Sequence, residues 1–227
     1  MAKIPILVLL LFLIAFPVFA HDPSIEEEDW GGFDEPYRVE DATISYALYG
    51  YLDEADVDVF QLDFSADDNQ LRVEVLVPVC GAHYAEFQPH FAVFSDNPDA
   101  ADSDLTDVEF PFAVPEGYAP VYVEANAARE GERETFVEAF GGTEFYEAPR
   151  LDLDVPAGTY LIAVYAPDED ISGDYTIATG YREVFSMGLD TVTAVAAIRA
   201  NSWLHRDCDL APDDPHAIIE HEHEHGD

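Results

Sequence analysis

Histidine and glutamate alternate near the C-terminal end of the chain, and this segment carries the residue types best suited to bind a metal. Four of the eight histidines fall within the last twelve residues. Imidazole nitrogen suits Zn²⁺, Cu²⁺ and Ni²⁺, and neighbouring carboxylates raise the local cation concentration. The candidate ligands are His216, His221, His223 and His225, together with Glu220, Glu222 and Glu224. The pattern predicts weak capture of zinc or copper; a solubilising tail or an expression tag is the alternative interpretation.

A second metal site could form at His21, which becomes the first residue if a signal peptide is cleaved after Ala20. A free α-amine and its own imidazole can chelate Cu²⁺, as in histidine-brace oxygenases. Such a brace needs a second histidine close in space, and His83 or His90 would have to provide it. A copper oxygenase is therefore the remote hypothesis, and histidines of the core or its rim are the ordinary interpretation of His83 and His90.

The two cysteines, Cys80 and Cys208, predict one disulfide, because an exported chain with an even number of cysteines usually oxidises them. Cys80 ends a predicted strand and Cys208 follows the last predicted helix, so the bridge would fix the C-terminal segment to a sheet. The loop-entropy model gives such a bridge roughly 3–5 kcal/mol. The alternative is ligation of a metal by the thiolates with His83 and His205.

Three acidic stretches offer the oxygen ligands that Ca²⁺ takes from flexible loops. They are Asp53/Asp56/Asp58, Asp67/Asp68/Asn69 and Asp96/Asp99/Asp102/Asp104. None of them matches the EF-hand pattern. Solvated turns are the default interpretation, and one bound Ca²⁺ is the sharper hypothesis.

No motif of nucleophilic or phosphate chemistry occurs in the sequence. We find no G-x-S-x-G, no P-loop and no Cys–His pair in a known local context. Acidic pairs are so frequent that they carry no information about glycosidase chemistry. The sequence therefore predicts a protein that is not an enzyme.

The charge of the chain excludes two classes of partner. The chain has 48 acidic residues and a formal net charge of −39, and its one lysine is Lys3. Such a surface repels nucleic acid and anionic membranes, which need Lys and Arg to neutralise phosphate. Adaptation to a salty exterior, as in halophilic proteins, is the simpler explanation of the charge as a whole, and binding of divalent cations is the alternative. Once nucleic acid and anionic membranes are excluded, divalent cations and a protein or glycan are the candidate partners.

The N-terminal segment predicts export. Lys3 precedes an apolar run over residues 4–16, and Val18-Phe19-Ala20 suits a signal peptidase, so residues 1–20 are interpreted as a cleaved signal peptide. The run is short for a membrane span. We expect a periplasmic, cell-surface or secreted protein that is not an integral membrane protein after cleavage. Residues 21–40 are interpreted as an acidic, extended leader.

Alternation of apolar and polar residues predicts an all-β fold over residues 41–183. Phe60, Leu62 and Phe64 alternate with polar residues, and so do Leu71 to Val79 after a polar turn at 65–70. These two runs predict a β-hairpin. About eight or nine such strands, with turn residues between them, indicate an antiparallel, jelly-roll-like sandwich of two sheets.

A helical period begins only at Phe185. It predicts one amphipathic helix over residues 184–206, laid over an open edge of the sandwich. Its expected apolar face consists of Phe185, Leu189, Val192, Val195, Ala196 and Trp203. Residues 207–227 are polar and interrupted by prolines, and we expect them to be a disordered tail.

Two separated stretches resemble the bacterial pre-peptidase C-terminal (PPC) domain. The first is DVDVFQLDF followed by LRVEVLV, and the second is PAGTYLIAVYAPDEDISGDYTIATG. The positions that carry the resemblance are Gly158, Tyr160, Ile162, Val164, Gly173, Tyr175 and Ile177. The resemblance spans about residues 44–180 and implies a secreted, non-catalytic accessory sandwich. An insertion at about residues 81–150 and the absence of a preceding peptidase depart from that family.

Together these patterns predict an exported binding protein that captures a divalent transition metal through its tail. A structural or adhesive surface module that binds a protein or glycan is the alternative function.

Overall fold

A computed structural model gives the fold of most of the chain. It describes residues 21–27, 29–65, 69–124, 133–139, 141–148, 150–167, 171–184, 188–205 and 208. The predicted signal peptide and the His/Glu tail both lie outside these residues.

The described residues form twelve strands, two α-helices and one 3₁₀ turn at Ser103–Leu105. The strands are β1 (Asp22–Ile25), β2 (Tyr37–Arg38), β3 (Tyr46–Leu52), β4 (Val57–Phe64), β5 (Asn69–Pro78), β6 (His90–Ser95), β7 (Ala119–Val123), β8 (Thr135–Val137), β9 (Glu144–Tyr146), β10 (Arg150–Val155), β11 (Gly158–Tyr165) and β12 (Gly173–Thr179). The helices are α1 (Gly81–Glu86) and α2 (Leu189–Arg199).

The strands form two sheets, which confirms the predicted all-β sandwich. The seven-stranded sheet has the order β1-β3-β12-β5-β9-β8, with β10 also paired to β5, and the five-stranded sheet has the order β2-β4-β11-β6-β7. Most neighbours are antiparallel, as expected, but the edge pairs β1–β3 and β2–β4 are parallel. Both sheets are therefore mixed.

The core fills the space between the sheets with alternate residues of each strand. Phe60 and Leu62 of β4 and Ile162 of β11 have no exposed surface, and neither do Tyr175 and Ile177 of β12. Burial of such side chains stabilises a fold by roughly 1.5–3 kcal/mol each. The chain is long enough to build this core in one domain.

The predicted β-hairpin is wrong, because its two strands lie in different sheets. β4 pairs with β2 and β11, whereas β5 pairs with β12, β10 and β9. The connection after Phe64 therefore crosses from one sheet to the other. Alternation specifies which face of a strand is buried but not which strand lies beside it, so the same pattern fits a hairpin or a crossing.

The acidic segment at 21–40, which we expected outside the sandwich, is part of it. β1 and β2 add one parallel edge strand to each sheet. Trp30 and Val39 are 7% exposed and pack in the core. Two buried apolar residues among many acidic ones are a weak sequence signal, but they fix this segment against both sheets.

The C-terminal helix is shorter than predicted and buries a different face. α2 packs against the edge strand β1, as expected for a helix that covers an edge. Thr191 and Ile198 are its buried residues, whereas Leu189 and Val192 are 85% and 57% exposed. Small and apolar residues occur all round this helix, so their spacing could not identify the packed face. Trp203 is buried, but beyond the end of the helix.

Residues of the 81–150 insertion cover the outer face of the five-stranded sheet. Phe110 and Phe112 stack on each other and pack on Phe94 of β6. Phe33 joins them from the N-terminal segment. This second apolar cluster explains why Val59, on the outward face of β4, is fully buried.

Across the described part of the chain, no helix is both long and apolar enough to span a membrane.

Candidate functional site

The C-terminal segment is covalently fixed to the sandwich, as predicted. Cys80 and Cys208 form a disulfide with a Cα–Cα distance of 4.6 Å. Cys80 follows β5 and precedes α1, so the bridge fixes the chain just before the His/Glu tail. The sulfurs are bonded to each other, and the alternative of thiolate ligation to a metal is therefore wrong.

A buried carboxylate reinforces this attachment. Asp174 on β12 has no exposed surface. Its Oδ2 accepts a hydrogen bond from the Tyr84 hydroxyl and one of 2.9 Å from the His205 backbone N–H. The His205 ring nitrogen Nδ1 lies 2.7 Å from Asp174 Oδ1. We call the disulfide together with Tyr84, Asp174 and His205 the C-terminal clasp.

The positions of the clasp residues in the sequence explain why they lie close together in the fold. Tyr84 lies one helical turn after Cys80, and His205 precedes Cys208 by three residues, so the disulfide brings both to β12. Burial and the neighbouring carboxylate raise the pKa of Tyr84, which keeps its hydroxyl neutral and able to donate. The ring of His205 also packs on Tyr51, with centroids 4.4 Å apart. The clasp is therefore a satisfied polar network rather than an open reactive site.

Asp58 forms a second buried carboxylate site, between the sheets. It lies on the inward face of β4 with no exposed surface, and its Oδ2 accepts a hydrogen bond of 2.6 Å from the Tyr175 hydroxyl. Among the described residues its other oxygen, Oδ1, has no hydrogen-bond partner. Burial, and then the charge of Glu26, raise the pKa of Asp58.

Glu26 reaches the same place from the end of β1. Its Oε1 accepts a hydrogen bond of 2.8 Å from the Trp30 N–H, and its Oε2 accepts one of 2.6 Å from the Tyr51 N–H. The pairing of β1 with β3 ends at Ile25 and Tyr49, and the Glu26 side chain then accepts the next hydrogen bond from β3, at Tyr51. Asp29, which is exposed, accepts a bond of 3.0 Å from the Gly31 N–H. One oxygen from each of Glu26, Asp29 and Asp58 lies within 4.8 Å of the others, and we call these three residues the carboxylate cluster.

The carboxylate cluster makes stability depend on pH. Burial raises the pKa of Glu26 from 4.5 to about 7, and Asp29 contributes to the increase. The hydrogen bonds from the Tyr51 and Trp30 N–H groups oppose it, as does His205 to a smaller extent. Folded protein therefore holds a proton that unfolded protein releases, so stability falls as the pH rises from about 4.5 to about 7. We expect a loss of about 1–2 kcal/mol by urea unfolding with a chelator present. Glu26→Gln should flatten this slope; an unchanged slope would contradict the assignment.

His21 occupies a small pocket on the seven-stranded sheet. Its Nδ1 lies 2.7 Å from the Ser45 hydroxyl, and burial lowers its pKa. A cavity of about 100 Å³ beside it is also lined by Glu74, Glu138 and Thr176. Within the described chain, no group of three or more metal-ligand side chains includes His21.

Of the two candidates for the second histidine of a copper brace, only His90 has a described side chain, and it does not share the pocket of His21. His90 lies on the five-stranded sheet and packs against Tyr165, with ring centroids 5.6 Å apart. The side chain of His83 lies outside the described parts of the chain. The copper oxygenase therefore stays a remote prediction.

The predicted acidic loops mainly bond to their own backbone. Asp56 Oδ1 accepts from the Val57 N–H at 2.7 Å, and Asp102 Oδ1 accepts from the Asp104 N–H at 2.9 Å. Asp96 accepts from the Thr159 N–H at 2.9 Å. Asp67 and Asp68 lie outside the described residues, as do all seven predicted ligands of the tail.

Of the acidic loop residues only Asp58 belongs to the carboxylate cluster of the described chain. Sequence reasoning missed Glu26 and Asp29, because it set residues 21–40 aside as a leader. The sequence did contain a signal for Asp58. It lies two, four and six residues before Phe60, Leu62 and Phe64, so strand alternation places it on the same buried face of β4.

Comparison with known proteins gives little further information. No family model and no curated protein matches the chain. Among solved structures, the crystal structure of Aeromonas hydrophila PliG, a periplasmic lysozyme inhibitor of g-type lysozyme, is 16% identical and covers 64% of this chain and 95% of its own, with a TM-score of 0.35. Similarity at this level is no basis for a functional assignment. The resemblance to the PPC domain stays a prediction.

Proposed function

We propose that the protein is an exported, non-catalytic binding protein, and that it captures Zn²⁺ or Cu²⁺ through its His/Glu tail. The observation that carries this proposal is the disulfide Cys80–Cys208. It attaches the chain at Cys208, just before the tail, to the sandwich at Cys80, so metal captured by the tail would stay attached to the folded domain. An oxidised cysteine pair also suits an exterior location.

The clasp supports the non-catalytic part of the proposal. Asp174 holds the backbone and the ring of His205, and it is completely buried. A buried histidine–carboxylate pair of this kind suits a structural task, because it holds the C-terminal segment on β12 beside the disulfide. The tail carries four further imidazoles, at His216, His221, His223 and His225, and these suit metal capture.

A surface groove favours a second candidate function, the binding of a protein or glycan. The groove has a volume of about 430 Å³ and lies between β1, β2 and the start of α2. Tyr37, Tyr46 and Arg38 line it together with several carboxylates. Aromatic faces beside polar groups suit a peptide or a sugar. Such binding would not need the tail.

Removal of the tail separates the two functions. We expect the mature chain to bind Zn²⁺ and Cu²⁺ at least tenfold more tightly than a version that ends at Pro215, as measured by calorimetric titration. Thermal unfolding of the two proteins should coincide, because the disulfide and the sandwich remain in both.

A full-length variant provides the matched control. Replacing His216, His221, His223 and His225 by glutamine removes the imidazoles and keeps the length and the acidic residues. This variant should bind as weakly as the truncated protein. Equal binding by the glutamine variant and the unchanged chain would contradict tail capture, and attention would move to a partner for the groove.

A further inference from the structure

We propose that Glu26, Asp29 and Asp58 form a calcium site that fixes the N-terminal segment to the sandwich. The three residues come from two separate parts of the chain: Glu26 and Asp29 follow β1, and Asp58 lies on β4 of the other sheet. One oxygen of each lies within 4.8 Å of the others. A single cation among them would join the edge of one sheet to the interior of the sandwich.

Proximity of acidic residues is common, and Asp58 supplies the independent observation. This side chain is completely buried, and its Oδ1 has no hydrogen-bond partner in the described chain. A buried carboxylate oxygen without a partner is costly, and such atoms usually face an ion or an ordered water. The Tyr175 hydroxyl satisfies only Oδ2. The geometry therefore leaves Oδ1 available as a ligand.

The charges around the carboxylate cluster favour a cation. The groups that act on Glu26 and Asp58 are Asp29 and Asp56, which add negative charge, and His205, which opposes it at Glu26. Three carboxylates so close together repel each other unless protons or a cation neutralise them. A divalent ion would neutralise two of these charges at once.

The ligand chemistry favours Ca²⁺ over the metals expected at the tail. All three ligands are carboxylate oxygens, which suit hard cations, whereas Zn²⁺ and Cu²⁺ favour nitrogen and sulfur. Asp29 is exposed, so the site is open on one side and can complete its coordination with water and backbone oxygens. Calcium tolerates such irregular, partly hydrated coordination better than Mg²⁺ does.

Gly50 keeps the space beside this site clear. A Cβ atom on Gly50 would overlap the indole nitrogen of Trp30 and lie 3.2 Å from Glu26 Oε2. Because glycine stands there, the Trp30 indole can pack beside the Glu26 carboxylate. The same arrangement provides a spectroscopic probe, since an indole next to a bound Tb³⁺ ion sensitises its luminescence.

The test uses the full mature chain with Tb³⁺ and Ca²⁺, at a salt concentration that screens the acidic surface. We expect Tb³⁺ luminescence excited through tryptophan, and we expect Ca²⁺ to displace the ion. Asp58→Asn should weaken Ca²⁺ binding at least tenfold. Asp63→Asn removes the same charge from an exposed position of the same strand and should leave the affinity unchanged.

A stability measurement separates a ligand from a merely structural residue. Ca²⁺ should raise the Tm of the unchanged protein and of Asp63→Asn, and this increase should vanish in Asp58→Asn. If Asp58→Asn does not fold, Asp29→Asn replaces it, because Asp29 is exposed and its loss cannot disrupt the core. Equal Ca²⁺ affinity in all of these proteins would overturn the proposal. The glutamine variant of the tail should keep the calcium site, so failure of one proposal leaves the other intact.

Discussion

Replacing Cys80 and Cys208 together by alanine will lower the free energy of unfolding by about 3–5 kcal/mol. The disulfide closes a loop of 128 residues, and without it the unfolded chain gains the conformational freedom that the bridge removes. Alanine is the appropriate replacement, because Cys80 is 3% exposed and a serine hydroxyl would be buried there. Urea unfolding under oxidising conditions measures the change.

The reduced form of the unchanged protein is the control for this experiment. Reduction breaks the same bond without removing either side chain, so it should reproduce most of the loss seen in the double variant. A double variant as stable as the oxidised protein would mean that the clasp is held by its hydrogen bonds alone.

Asp174→Ala will destabilise the protein by about 3–5 kcal/mol, the amount typical of removing one partner from a buried charged network. The change leaves the Tyr84 hydroxyl and the His205 N–H without their acceptor in a buried place. Asp174→Asn, which keeps one acceptor oxygen, should cost less. Asp154→Ala, at an exposed position of β10, is the matched control and should change stability little.

Combining the two changes tests whether the clasp is one unit. The disulfide and Asp174 hold the same segment. The triple variant should therefore lose less free energy of unfolding than the cysteine variant and Asp174→Ala lose in total. The comparison needs the cysteine variant, Asp174→Ala and the triple variant in one series of urea unfolding curves. Strict additivity would show that the two attachments are independent.

The sequence was sufficient for the features that depend on composition and local pattern. Two cysteines in a chain with a predicted export signal predict a bridge, because two cysteines allow only one pairing. Alternation within Tyr160 to Tyr165 and around Tyr175 predicts buried strands, and β11 and β12 are those strands. The all-β class follows from the same local information.

Features that depend on pairing could not be predicted in this way. β4 and β5 have ideal hairpin alternation, yet they lie in different sheets because partner choice is decided by the whole core. Glu26 joins the carboxylate cluster only because β1 runs parallel to β3 and ends beside Tyr51. The packed face of α2 could not be predicted, because small and apolar residues lie on all sides of the helix.

The positions of β11 and β12 also determine when this protein can fold. β11 lies between β4 and β6 in one sheet, and β12 lies between β3 and β5 in the other. Pairing of β3 with β12 joins Tyr46 to Thr179. Since β11 ends at Tyr165 and β12 at Thr179, neither sheet has this strand until roughly three quarters of the 227 residues have been made. Such distant pairings slow folding. The disulfide closes later still, because Cys208 follows β12 in the chain and must be made before the bridge can form.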